Sequence, residues 1–161
     1  MGHLTECVIV PAEARDVLSL KGALRKSDRM EVEACSGQNP SRALEQSWER
    51  SEMSWAGRAK HNGEWSTWGI LGVARLSMCS STGVPWMLGS DEMNRNLLRI
   101  GRSSKYYVDV MLQHYSQLEN YIDARQTRSI KWLKWCGFRV EPAHPFGVKG
   151  LPFHRFWKER I

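Results

Sequence analysis

Residues 120–140 read NYIDARQTRSIKWLKWCGFRV, and this stretch decides the fold class. Asn120 to Ala124 is a short run that suits a strand. Thr127 can cap a following helix from Arg128 to Trp135, because a hydroxyl can accept one of the free N–H groups of a first helical turn. Cys136-Gly137 ends that helix, since glycine tolerates a left-handed exit, and Phe138-Arg139-Val140 resumes as strand. Strand, helix and strand within 21 residues point to an α/β chain.

Working outward, Tyr107, Val108, Met111, Leu112, Tyr115 and Leu118 form one apolar stripe of helical period. Further upstream, Val84 to Leu88 is a short strand after a Ser/Thr/Gly loop. Ser54 to Ala74 reads as two strands around His61-Asn62-Gly63-Glu64, an Asn-Gly turn of the hairpin-favouring kind. Cys7 to Val10 is an opening strand ended by Pro11. The segment from Pro11 to Cys35 is helical in two pieces and closes at Ser36-Gly37; a second helical segment starts at Asn39-Pro40-Ser41 and runs towards Met53. His144 and His154 flank a Pro/Gly-rich turn, and Phe153 to Trp157 is a final strand. The expected order is β-α-α-β-β-β-α-β-α-β-β, a single mixed α/β domain.

Composition agrees with one packed core. The 161 residues are 42% hydrophobic and 25% charged, with eight Trp, a balance that disordered and fibrous chains do not have. The net charge of +6 is uneven: residues 1–94 carry −2 and residues 95–161 carry +8. The second half therefore suits something anionic. The longest uncharged stretch, Leu76 to Ser90, contains Ser, Thr, Gly and Pro and is no membrane span. No signal peptide is visible. Cys7, Cys35, Cys79 and Cys136 lack metal-ligand spacing, so no metal is expected, and they read as free buried thiols in a reducing cytoplasm. Trp132 and Trp135 beside Lys131 and Lys134 could stack on bases, but at helical spacing an apolar face with snorkelling lysines is simpler, so nucleic acid is disfavoured as a partner.

The element order and the 120–140 segment together resemble the GNAT superfamily of acyl-CoA-dependent N-acyltransferases. Ala124 to Phe138 looks like the GNAT pattern of Asn, small residue, helix and Gly-Phe. More narrowly, PWMLGSD (85–91), YYVDVMLQHYSQLENYIDA (106–124) and IKWLKWCGF (130–138) are similar to a tailed-phage family described as GNAT-like acetyltransferases or internal virion proteins. The resemblance implies a single GNAT-like domain over 1–161, with a central mixed, mostly antiparallel, twisted sheet flanked by helices. Residues 1–53 would supply the N-terminal strand and helices, 54–93 strands, and 94–161 the CoA-site half and the C-terminal strands. It also implies a bacteriophage protein in the host bacterial cytoplasm or the virion. Its partners would be acetyl-CoA and a protein or small-molecule amine acceptor, or virion and host proteins in a non-catalytic alternative.

Residue by residue, the GNAT phosphate turn, Gln/Arg-x-x-Gly-x-Gly/Ala, falls on Leu98 to Ser103. Backbone N–H groups at a Gly-containing helix entry suit a pyrophosphate. Gly101 and the small Ser103 match, and Leu98 replaces the leading polar residue. Arg99, Gly101, Arg102, Ser103, Ser104 and Lys105 are thus cofactor-binding candidates, against the plain reading of a helix start with solvated cations, and the resemblance adds Gln126 to them. Gln126 takes the place of the family Asn, and Leu133 that of the Tyr that protonates the departing thiolate; leucine cannot donate a proton, so the site is degenerate. Tyr121 could substitute. Asp91 and Asp123 follow strands, where ligands gather in open α/β sheets, or act as helix caps, the commoner use. Asp91 and Tyr121 are the catalytic candidates.

Overall fold

A half-exposed strand, β1 (Glu6–Pro11), is followed by three helices, α1 (Ala14–Lys21), α2 (Lys26–Ser36) and α3 (Pro40–Arg50). Three of the helix boundaries have a clear local cause. A capping box between Glu13 and Asp16 starts α1. Gly37 at φ 71° ends α2 in a left-handed turn. The Asn39 side chain accepts from Ser41 and Arg42 N–H groups ahead of Pro40 and starts α3. Then come β2 (Ser51–His61) and β3 (Glu64–Arg75), joined by Asn62-Gly63. Both turn residues have positive φ (50° and 83°), as a two-residue hairpin turn matching the strand twist requires. The chain continues through β4 (Thr82–Gly89), α4 (Glu92–Asn96), α5 (Gly101–His114), β5 (Gln117–Asp123), α6 (Thr127–Trp135), β6 (Arg139–Val140), β7 (His144–Phe146) and β8 (Leu151–Glu159). The structure, a computed structural model, describes residues 6–96 and 101–161, with the side chain of Arg102 left out.

The sheet has eight strands in the order β1-β2-β3-β4-β5-β8-β6, with β7 also on β8. Every pairing is antiparallel except β4 with β5. This is the mixed, mostly antiparallel sheet flanked by helices that the sequence implies. Helices cover both faces. On one, Val17 and Leu20 of α1 and Leu44 of α3 pack with Ala56, Ile70 and Leu88. On the other, Val108, Met111 and Leu112 of α5 and Leu133 of α6 pack with Val73, Leu118, Ile122 and Phe156. Each such side chain contributes about 1.5–3 kcal/mol when fully buried, so the two helical layers hold the sheet between them.

Several sequence expectations shift. The helix over 107–118 ends at His114; Tyr115 stays buried and Leu118 belongs to β5. Apolar spacing records burial, and here burial continues across a turn into the next strand. Helix α3 stops at Arg50, so Met53 lies in β2. Thr127 is the first residue of α6, Gln126 occupies the cap position, and it makes no side-chain cap bond. The expected order also lacked α4 and β7, and it counted as one helix the two pieces that are separate here as α1 and α2. All four cysteines are free, but only Cys136 is buried, and Cys79 is exposed.

Gly57 on β2 shows how closely the sheet is packed: a Cβ there would lie 2.2 Å from the Trp68 ring. Replacing Gly57 with Ala would force the indole off its seat. Urea unfolding of Gly57→Ala should show stability lower by about 1–3 kcal/mol, and an unchanged midpoint would contradict this packing.

Candidate active site

The parallel neighbours β4 and β5 share only two residue pairs, Thr82 with Gln117 and Gly83 with Leu118. Each strand meanwhile keeps seven pairs with its antiparallel partner. Beyond Gly83 the two strands part, and the facing edge groups of both need other partners or remain open.

The parity of β4 can be worked out. In an antiparallel ladder a residue's N–H and C=O point to the same neighbour, and successive residues alternate sides. Ser90 N–H donates to Trp68 C=O (2.9 Å), and Leu76 N–H to Thr82 C=O (3.0 Å), so even-numbered residues bond β3. Odd-numbered residues face β5. Pro85 has no N–H, and its C=O accepts from Asn120 Nδ2 at 2.7 Å. Gly89 N–H donates to Asp28 Oδ2 at 2.9 Å, and its C=O accepts from Arg25 N–H at 2.9 Å. Met87 lies between them. Its N–H and C=O face the opening with no hydrogen-bond partner among the described residues.

The β5 rim is closed differently. Tyr121 N–H donates to Asn120 Oδ1 (2.8 Å), so the one carboxamide bridges both strands where they separate. Asp123 N–H donates to Glu31 Oε2 (2.9 Å). Between the rims lies a cavity of about 280 Å³ that reaches residues of both helical layers: Glu31, Val32 and Cys35 of α2 on one side, and Val108, Met111 and Leu133 on the other.

Helix α2 carries the charge into this cleft. Arg25, Asp28 and Glu31 follow one another at intervals of three, on a single face of the chain entering and forming α2. Arg25 and Asp28 are 4% and 1% exposed and form an ion pair at 2.8 Å. Arg25 also donates to Asn94 Oδ1 (2.7 Å) and Gln126 Oε1 (3.4 Å). Gln126 Nε2 donates to Asp28 Oδ1 (3.3 Å). Asp123 is paired with Arg125 at 2.6 Å; burial pushes its carboxyl up, but the guanidinium and the Arg125 N–H outweigh this and hold it below the usual range. Glu31 has no such cation. Burial raises its pKa to about 7, opposed by the Asp123 N–H, reinforced by Asp28 and Asp123, and eased by the Gln126 carboxamide.

The sequence-derived candidates are distributed unequally. Tyr121 lines the cavity, its ring stacked on Phe146 at 4.0 Å. Gln126 also lines it, but its carboxamide is committed to Arg25, Asp28 and Ser129. Asp91 is exposed at the start of α4, where its C=O accepts from Asn94 N–H, and it does not line the cavity. Arg99, with Leu98, lies outside the described residues, as does the Arg102 side chain. Gly101 opens α5, and a Cβ there would meet nothing within 4 Å. Ser103 is exposed, and Ser104 is buried with its hydroxyl accepting from Trp132 Nε1 (2.9 Å). Lys105 is exposed with its ammonium 4.2 Å from the Trp135 ring. Of the histidines, His144 is exposed and His154 Nδ1 lies 2.7 Å from Glu141 C=O. Glu31, Asn120 and Met87 were not singled out from sequence. Only the three-residue polar spacing on α2 could have pointed to Glu31.

Among the described residues, no group of three or more His, Cys, Asp or Glu side chains is placed to hold a metal ion, and no helix is long and apolar enough to cross a membrane.

No family model matches the chain, and no curated protein matches it in sequence. Solved structures do match in shape. Spermidine N-acetyltransferase from Vibrio cholerae, in complex with CoA and spermine, superposes with a TM-score of 0.67 at 9% identity, over 96% of this chain and 95% of that one. An acetyltransferase of the GNAT family from Streptococcus pneumoniae gives 0.61 at 14% identity, over 96% and 99%. The fold is that of the GNAT acetyltransferases. Ribosomal-protein-S5-alanine acetyltransferase from Vibrio fischeri gives 0.67 at 13% identity, over 96% and 93%. At these identities the likeness is one of GNAT architecture.

Asn120 is the pin of the cleft, and Asn120→Leu leaves both Tyr121 N–H and Pro85 C=O without partners. The variant should lose about 1–3 kcal/mol of stability, read by urea unfolding, whereas a neutral effect would show that the strands part without it.

Proposed function

We propose that the chain is an acetyl-CoA-dependent N-acetyltransferase working in the cleft between β4 and β5. The observation that carries this reading is the pairing of an unpartnered strand amide, Met87 N–H, with a carboxyl of raised pKa, Glu31, at one parted seam of the sheet.

The cleft suits acetyl-CoA on its own evidence. Met87 N–H and C=O are edge groups free to bond an extended chain lying between the strands. The open space over Gly101 and the exposed Ser103 leave the first turn of α5 accessible to a phosphate, with Lys105 on the next turn. When bound, acetyl-CoA supplies an acetyl thioester. Met87 N–H is placed to donate to an oxygen on which negative charge develops, a contribution of about 100- to 1000-fold for one such donor. Glu31, ionised, takes the proton that an attacking ammonium must lose. Tyr121 walls the same side of the cleft. Glu31, rather than the exposed Asp91, is the base.

Leu133 favours a second reading. It lines the cavity at 5% exposure, where the resemblance places a proton-donating Tyr. A tailed-phage virion or assembly protein, acting in the host bacterial cytoplasm or packaged in the particle, would need no such donor.

Calorimetry separates the two readings. Acetyl-CoA should bind the wild-type protein with micromolar-range affinity and lose that binding in Gly101→Glu, at a position where an added Cβ would meet nothing within 4 Å. No heat with the folded wild type would overturn the enzyme reading and favour the second.

Glu31 gives two pH signatures. The kcat/KM for amine acetylation should rise through a step near pH 7, and Glu31→Gln should lower it by about 100-fold or more and remove the step. Stability runs the other way. The unfolded carboxyl loses its proton near 4.5 and the folded one near 7, so the folded state binds more protons between these values and stability falls as pH rises through the window. Urea unfolding should show this fall in wild type and not in Glu31→Gln.

A further inference from the structure

We infer that the α2 side of the cleft takes a small primary monoamine with an apolar body, its ammonium on Glu31 and its body against Trp86 and Tyr121. As an assignment of the acetyl acceptor this rests on the acetyltransferase reading, but the binding site is defined by its own charges and walls.

The charge balance around Glu31 excludes other amines. From α2 and the link before it, Asp28 faces Arg25 in a buried ion pair at 2.8 Å. Cys35 stays a neutral thiol, because burial and the Glu31 carboxylate both push its pKa up. From β5 and the turn after it, Asp123 is paired with Arg125 at 2.6 Å, and the Arg125 guanidinium, though felt by Glu31, is committed to that carboxylate. From α3, the lining residues Ala43 and Ser47 are uncharged. Glu31 is therefore the one lining carboxylate, among the described residues, without a cation in ion-pair contact.

A polyamine would bring a second ammonium with no anion to meet, and leaving a desolvated charge unpaired is costly. A free amino acid would bring a carboxylate, but the Arg25 guanidinium already donates to Asp28, Asn94 and Gln126. The remaining wall is apolar or neutral: Val32, Ala43, Pro85, Trp86 and Tyr121. Trp86 keeps its indole N–H on Ser51 Oγ (2.7 Å), and Tyr121 is braced by Phe146, so both aromatic rings are fixed. The cavity of about 280 Å³ lies at the low end for ligand sites and spans both sides of the sheet, which limits the acceptor to a small body.

The test is calorimetry on the full chain at about pH 8, where Glu31 is ionised, titrating 2-phenylethylamine, spermine and phenylalanine separately. 2-Phenylethylamine should bind about tenfold or more tightly than either of the others. Glu31→Gln keeps an oxygen for Asp123 N–H and should weaken 2-phenylethylamine binding about tenfold or more. Ala43→Leu, on a partly exposed helical position, should abolish it by filling the pocket. Circular dichroism verifies that both variants are folded. Equal or tighter binding of spermine or phenylalanine, no binding of 2-phenylethylamine, or unchanged binding in folded Glu31→Gln would overturn the inference. Acetyl-CoA binding is measured in parallel: amine binding without acetyl-CoA binding would sink the acetyltransferase reading and leave the amine site standing, whereas the reverse would sink the amine site alone.

Discussion

Two parallel strands that pair at one end and separate at the other create a problem that the rest of the molecule solves. β4 and β5 bond at Thr82–Gln117 and Gly83–Leu118 only, and every later edge group is a polar atom inside a packed sheet. A buried N–H or C=O without a partner costs about 1–3 kcal/mol. The antiparallel ladders with β3 and β8 hold the two strands in place from outside. Side chains then satisfy the inner edges one by one: Asn120 at the fork, Asp28 and Glu31 further along. Among the described residues, Met87 N–H and C=O are left without a partner, and a gap held open on both sides with an uncovered amide in the middle suits the extended ligand proposed for it.

The groups that close the gap also set its electrostatics. Asp28 is neutralised by Arg25, and the pair tethers α2 to α4 through Asn94 and to α6 through Gln126. Glu31, beside Asp28 and with no cation in ion-pair contact, is pushed up to about 7. One helix face thus supplies a structural ion pair and a titrating carboxyl three residues apart. Their difference comes from the arginine. The same α2 is held at its far end by the loop after β7, where Val148 and Lys149 N–H groups donate to Cys35 and Ala34 C=O, so the wall bearing Glu31 is fixed at both ends.

Much of the architecture was legible in residues that impose local geometry. Asn62-Gly63, Gly37, and Asn39-Pro40 each mark the turn or boundary the structure has there. The strand–helix–strand order of residues 120–140 is present, though β5 begins at Gln117 and α6 at Thr127. The end of α5 was not legible, because Tyr115 and Leu118 continue its apolar spacing after the helix has turned into strand. The site was less readable still. Tyr121 and Gln126 do line the cleft, but Asp91, chosen for following a strand, points to a location where the chain is exposed. Glu31 looks like any helical surface acid until the parting of β4 from β5 gives it an amide to cap. Met87's role is carried by its backbone, which no residue type reveals.

The proposed function turns on the uncovered amide of Met87 meeting the acetyl donor. The most direct measurement is the amide proton shift of Met87 in ¹⁵N-labelled protein titrated with acetyl-CoA. The Met87 amide should move downfield to saturation while that of Gly89, held by Asp28, stays nearly fixed. An unmoved Met87 amide in protein saturated with acetyl-CoA would contradict it.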